Sequence, residues 1–211
     1  MKVETKRTLL FVTTILSVLI LFLSYYEVFR YVSMYFYNPS YYLNKYSDLE
    51  MVNNSVITIN SKESNIDKLE MTLKSILDQT LKTSEVVIYA EEGSHSDKLK
   101  QYEDYNIIVK EKPKSLYNDN VDVYDSVKKY ESTNYIIRLR DDVVYGKDYI
   151  GIMLENAWKN PSTLIKQKQG IVYKPDYFST NIEDAEENDN PFKYLTVKEK
   201  NVSYNLNYYT I

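Results

Sequence analysis

The sequence predicts an α/β fold, a mainly parallel sheet with flanking helices, preceded by one transmembrane helix. Two observations carry that prediction. Nineteen consecutive uncharged residues, Thr8 to Tyr26, lie between Arg7 and Glu27. Beyond them, short β-rich runs alternate with stretches whose apolar residues recur at helical spacing.

At about 1.5 Å per residue the uncharged run spans about 28 Å, close to the thickness of a bilayer's hydrocarbon core. Thr13, Thr14, Ser17 and Ser24 lie within it, and each can return its hydroxyl to the helix's own carbonyls. Lys2, Lys6 and Arg7 precede it and Arg30 follows, so the positive-inside bias places the N-terminus in the cytosol and the C-terminal part on the luminal or extracytoplasmic side. The rival is a cleaved signal peptide. Against it, Tyr25, Tyr26, Phe29, Tyr31 and Tyr35 stand where a small-residue cleavage site belongs, and they read instead as an interfacial aromatic belt. The expected organisation is a cytosolic tail (1–7), a transmembrane helix (8–29), a stem near the membrane surface (30–54) and an α/β domain (55–211).

Composition narrows the chemistry. With no cysteine there is no disulfide framework, thiolate nucleophile or cysteine-ligated zinc, and the single histidine, His95, leaves no two-histidine metal site. A formal net charge of -4 argues against a general nucleic-acid binder, which needs a basic stripe. Twenty-three tyrosines carry no functional assignment from sequence. Two sequons, at Asn53 and Asn201, are usable for glycosylation on a luminal side.

The domain opens with the β-rich run Val56 to Ile59. Ser64 and Asn65 then read as a helix N-cap, before Ile66, Leu69, Leu73, Ile76 and Leu77 at helical spacing. Val86 to Tyr89 and Ile107 to Val109 are the next strands, separated by a short polar helix expected over residues 97–104. Val121, Tyr124, Val127 and Tyr130 mark a helix, and Tyr135 to Leu139 a strand that ends on Arg140-Asp141-Asp142. A helix from Tyr149 stops before Pro161, followed by short strands at Leu164-Ile165 and Ile171 to Tyr173. The acid-rich stretch 183–190 reads as a solvated loop.

Such alternation implies right-handed crossovers, with the loops at the strands' C-terminal ends converging on one crevice. Three polar clusters sit at those ends: Asn60-Ser61-Lys62, Glu91-Glu92-Gly93-Ser94 and Arg140-Asp141-Asp142. The topology is expected to bring them together.

Four stretches resemble the family 2 glycosyltransferases. Val56 to Ser61 is similar to the family's opening strand, and Thr72 to Lys82, ending Gln79-Thr80-Leu81-Lys82, resembles its first helix and turn. Val86 to Ser94 resembles its second strand and the acidic turn that follows. Tyr135 to Pro161 resembles the strand, acids and helix around its metal-binding motif. Gly170 to Pro175 is similar to a later strand, so the likeness runs from about Val56 to Tyr177. The resemblance implies a nucleotide-diphospho-sugar transferase (GT-A) fold that moves a sugar from a nucleotide sugar to a hydroxyl on a glycan or glycoprotein, with a divalent cation, Mn²⁺ or Mg²⁺, under the diphosphate. On its pattern Asp142 matches the metal-binding acid and Glu92 the acid that contacts the nucleotide base. Asn60 and Ser61 border the pocket, with Arg140 and Asp141 on the donor.

The chain departs from that pattern at two places. Arg140 stands where the motif's first acid belongs, and a guanidinium cannot ligate a cation but pairs well with phosphate. A base is also needed to take the acceptor's proton. Where the family carries an acidic pair, this chain offers Glu199 alone, leaving Glu199, Glu186, Glu187 or Asp189 as candidate bases, or none. A transferase-fold protein that binds without turnover, serving as a membrane-tethered module, is therefore the alternative.

Overall fold

The computed structural model describes residues 3–61, 66–93, 99–114, 117–182, 189–202 and 208–210. The chain divides into two compact units, Met1–Asn38 and Pro39–Ile211.

In the first unit, α1 (Val3–Tyr25) contains the 21-residue segment Thr5–Tyr25, long and apolar enough to cross a membrane. Its hydroxyls bond back along the helix as expected: Thr14 Oγ1 donates to Leu10 O and Ser17 Oγ to Thr13 O, both at 2.9 Å. Glu27 turns left-handed at φ 53°, which stops α1 and starts α2 (Val28–Phe36). One face of α2 is apolar, with Phe29, Val32 and Phe36 exposed.

The second unit begins earlier than the sequence implied. Residues 30–54, expected as a stem near the membrane surface, hold most of α2, all of α3 (Pro39–Ser47) and the start of β1 (Met51–Ser61). Aromatic bulk explains the difference. Tyr42, Leu43 and Tyr46 of α3 are buried, and tyrosine at helical spacing supplies an apolar stripe that a count of aliphatic residues misses.

The elements that follow are α4 (Ile66–Leu77), β2 (Lys82–Glu91), β3 (Ile107–Lys112), α5 (Val121–Lys129), β4 (Tyr135–Leu139), β5 (Val143–Tyr145), α6 (Tyr149–Lys159), β6 (Thr163–Gln167), β7 (Gly170–Tyr173), β8 (Lys198–Asn201) and β9 (Tyr208–Thr210). Seven strands form one sheet in the order β3-β2-β1-β4-β7-β6-β8, and β5 pairs with β9 separately. The pairs β1–β2, β2–β3, β1–β4 and β6–β8 are parallel, while β7 runs antiparallel between β4 and β6. The mainly parallel α/β architecture stands as expected. The polar helix expected before β3 is a 3-10 turn, Lys100–Tyr105, and β8 was not foreseen because its four residues, Lys198 to Asn201, are all exposed.

Side chains alternate across the sheet. Val56, Val87, Tyr89 and Ile136 pack on Val121, Val123 and Tyr124 of α5. The intervening positions, Ile57, Ile59, Ile137 and Leu139, are also buried, so both faces of β1 and β4 are covered.

A polar stripe on α4 joins these layers. Thr72, Ser75 and Gln79 recur at i, i+3 and i+7 and are at most 1% exposed. Thr72 Oγ1 donates to Asp141 O at 3.0 Å and accepts from Val143 N at 3.1 Å, and Ser75 Oγ accepts from Tyr145 N at 3.0 Å. Gln79, just past the helix end, donates from Nε2 to Gly146 O at 2.9 Å and accepts at Oε1 from Ile150 N at 3.1 Å. Residues 141 to 150 are thereby held along one helix. Because Gln79→Ala leaves the buried Ile150 N–H unsatisfied, while Gly146 O keeps its bond from Tyr149 N, it is expected to cost about 1–3 kcal/mol. Denaturant unfolding of the detergent-solubilised chain, followed by circular dichroism, measures this; a loss under about 0.5 kcal/mol, the size of an ordinary surface change, removes Gln79 from that role.

Candidate functional site

A cavity of about 520 Å³ opens at the C-terminal ends of β1 and β4, within the size range of small-ligand sites. Three segments build its walls: Asn60 from β1, Tyr117 and Asp119 from the loop before α5, and Arg138 to Asp142 from the end of β4. The β6–β7 hairpin, Lys166 to Ile171, closes the remaining side.

The hairpin is laddered to β4 through β7, from the Ile136–Tyr173 pair to the Leu139–Gly170 pair, and two tyrosines fix its turn beyond the ladder. Tyr145 Oη accepts from Arg140 N and donates to Gln169 O, both at 2.8 Å, so one hydroxyl spans the gap between the walls. Tyr149 Oη donates to Gln167 Oε1 at 2.6 Å, and the two rings meet edge to face at 4.7 Å. Gly170 allows the close approach. A Cβ there would lie 3.0 Å from both Leu139 Cδ2 and Tyr149 Oη.

Asn60 lines the cavity and is fixed in place. Its Nδ2 donates to Asn118 O at 2.8 Å and its Oδ1 accepts from the Tyr117 hydroxyl. Of the neighbouring expected residues, Ser61 is fully buried and outside the lining. Glu92 is exposed in a turn beyond β2, also outside the lining, while Glu91 pairs with Lys114 at 3.4 Å. Thus Asn60 of the first cluster meets the third at the cavity, and the described residues of the second, Glu91 to Gly93, do not line it. Lys62, Ser94 and His95 lie outside the described residues.

Arg140, Asp141 and Asp142 all line the cavity, with Arg140 across Asp142. Arg140 Nε donates to Asp142 Oδ1 at 2.8 Å and Nη2 to Oδ2 at 2.7 Å, a bidentate fork that uses both carboxylate oxygens. That hydrogen bonding holds the Asp142 carboxyl below its ordinary value and raises the Arg140 guanidinium. A cation on Asp142 would have to displace Arg140. Among the described residues no three histidine, cysteine or acidic side chains cluster tightly enough to hold a metal ion. The donor set as arranged does not fit a resident divalent cation.

Of the candidate bases, Glu199 and Asp189 lie outside the cavity lining. Glu199, on β8, reaches cavity-lining Lys166 at 3.8 Å. Asp189 pairs with Lys193, and Glu186 and Glu187 lie outside the described residues.

Sequence reasoning missed Arg138, Asp119, Tyr117 and the hairpin. Arg138 had a signal, a charge in the middle of an otherwise apolar strand. Its Nε lies 2.8 Å from Asp122 Oδ2, and Asp122, on α5, is fully buried and also accepts from Thr58 Oγ1 at 3.2 Å. Burial pushes the Asp122 carboxyl up and Arg138 pulls it down, with burial the larger effect. Tyr117 and the hairpin left no comparable mark, since strand order alone brings them to β4.

Because the Asp142 carboxyl is depressed, the ion pair adds stability above the unfolded carboxylate pKa of about 3.9 and loses it as pH falls through the lower folded value. Arg140→Ala is therefore expected to raise the Asp142 pKa toward that ordinary value, and its stability difference from the native chain should vanish in acid. Carboxyl-carbon NMR titration reads the shift; an unchanged Asp142 pKa contradicts the fork.

No family model and no curated protein sequence matches the chain. Among solved structures it is similar to S. aureus TarS 1-349, with 15% identity and a TM-score of 0.43 over 55% of this chain and 36% of that one. A second is TarS 1-349 in complex with UDP-GlcNAc, with 17% identity and a TM-score of 0.42 over 55% and 34%. A third is GalNAc-T7 with UDP, GalNAc and Mn²⁺, with 13% identity and a TM-score of 0.46 over 54% and 22%. The chain spans about a third of the length of the two TarS structures and about a fifth of that of GalNAc-T7.

Proposed function

We propose that this chain is a membrane-anchored glycosyltransferase of the GT-A kind, using the cavity to bind a nucleotide sugar and passing the sugar to a hydroxyl on a glycan or glycoprotein. α1 is the anchor, with the N-terminus cytosolic and the domain extracytoplasmic. The observation that carries the reading is the cavity's place and lining: it sits at the C-terminal ends of adjacent parallel strands, where α/β sheets bind ligands, with Asn60, Arg138, Arg140 and Asp141 on its walls. The resemblance of Val56 to Tyr177 to family 2 transferases supports the same choice.

Loss of a sugar from its nucleotide develops negative charge on the leaving diphosphate, and fixed positive groups at that point lower the barrier. Arg138 is such a group, because its buried partner Asp122 holds the guanidinium at the cavity wall. The acceptor hydroxyl must lose a proton to a carboxylate within hydrogen-bond reach. Asp141 is the proposed base: it lines the cavity, is 9% exposed, and Thr72 fixes its main chain. The alternative, a module that binds donors without turnover, draws on Glu199 and Asp189 lying outside the cavity lining.

Thermal-shift titration of the full chain in detergent with a panel of nucleotide sugars tests the reading. A fitting donor is expected to raise the melting temperature by a few degrees, and Asn60→Ala to weaken its binding about fivefold or more, the loss of about one hydrogen bond. Asp141→Asn is expected to lower sugar transfer or donor hydrolysis by about 10²–10⁴ with binding retained. No shift with any donor sinks the donor site, and binding without turnover by the native chain selects the module.

A further inference from the structure

We propose that the cavity balances its ligand's diphosphate charge with Arg140 and Lys168 in place of a divalent cation, and that Asp142 is a positioning residue for Arg140. This rests on the cavity being the nucleotide-sugar site.

The charges around the cavity lead to that assignment. Its lining carries four cations, Arg138, Arg140, Lys166 and Lys168, against three carboxylates, Asp119, Asp141 and Asp142. A site built to hold a metal ion under a diphosphate gathers carboxylates that are not already neutralised. Here the acid on which a cation would sit is gripped at both oxygens by Arg140.

The fork leaves Arg140 competent for a second anion. A guanidinium has five N–H donors; Asp142 takes one from Nε and one from Nη2, so the Nη1 pair and the second Nη2 hydrogen remain. The Arg140 side chain is 53% exposed, and it lines the cavity, so these donors are accessible to a ligand phosphate. A carboxylate on one edge and a phosphate on the other suits the planar group, which is orientated before the ligand arrives.

Lys168 supplies the second charge. It sits exposed at the turn between β6 and β7, across the cavity from the end of β4, and has no carboxylate partner among the described residues. Lysine here acts as a mobile point charge, arginine as a fixed fork. The side-chain oxygen of the next residue, Gln169, is buried with no hydrogen-bond partner. A divalent ion would duplicate charge that the side chains already supply.

Calorimetric titration of the full chain in detergent tests the idea, with uridine, guanosine and adenosine diphosphates and inorganic pyrophosphate as probes, each in excess EDTA and again with Mn²⁺. The expected result is that at least one diphosphate binds, with affinities in the two conditions within about threefold. Arg140→Ala is expected to weaken it about tenfold or more, the loss of a charge-assisted hydrogen bond. Arg140→Lys should recover part of that loss, Lys168→Ala should weaken binding about threefold, and Asp142→Asn should weaken it by no more than about threefold. Binding that requires Mn²⁺ and disappears in Asp142→Asn, or that is unchanged in Arg140→Ala, overturns the assignment while leaving the donor site in place. No binding of any probe under either condition overturns the donor site itself.

Discussion

The contact between the polar stripe of α4 and the backbone of residues 141 to 150 governs the candidate site. A helix facing a sheet normally buries apolar side chains, yet Thr72, Ser75 and Gln79 occupy that face and are fully buried. They are tolerated because each meets main-chain N–H or C=O groups of residues 141 to 150, which run from the end of β4 through β5 to the first turn of α6. The exchange satisfies both sides at once. Arg140, Asp141 and Asp142 consequently leave β4 in a set direction, which a loose loop would not impose.

Two arginines leave β4 on opposite terms. Arg138 is paired with the fully buried Asp122, whose carboxylate would be left without its cation if Arg138 were removed, so that pair is fixed in the fold. Arg140 is paired with Asp142 at the cavity, where its guanidinium is half exposed to solvent. One position is structural positive charge, the other exchangeable. Their spacing of two residues places both on the same strand face, so the fixed and the exchangeable cation lie along one wall.

Legibility from sequence followed the kind of information each element carries. β4 and α6 were read to within a residue or two because apolar periodicity and a terminal Pro161 mark them locally. The mainly parallel sheet followed from the alternation of types, and with it the convergence of strand ends that brings Asn60 to Arg140 and Asp141. Glu92 failed to join them because the cavity lies toward β7 rather than toward β2, a matter of how far each loop extends past its strand. The pairing of Arg140 with Asp142 was equally invisible. At i and i+2 in an extended chain two side chains share a face, but sequence alone does not separate an ion pair from two independent ligands of a third group.

The tyrosines that sequence left without a role turn out to link layers. Tyr145 and Tyr149 are fully buried and spend their hydroxyls on the hairpin, and Tyr173 is buried with its hydroxyl 2.7 Å from Ser126 on α5. A phenylalanine at such places would pack as well but leave the opposing polar group bare. Gly170 lets the hairpin approach β4 closely, since a Cβ there would meet Leu139 and Tyr149. The β4–β7 ladder sets the hairpin beside β4, and rings with a hydroxyl at the end fix its turn where the ladder stops. A ligand entering such a site finds both walls already set, and little of its binding energy is lost to ordering them.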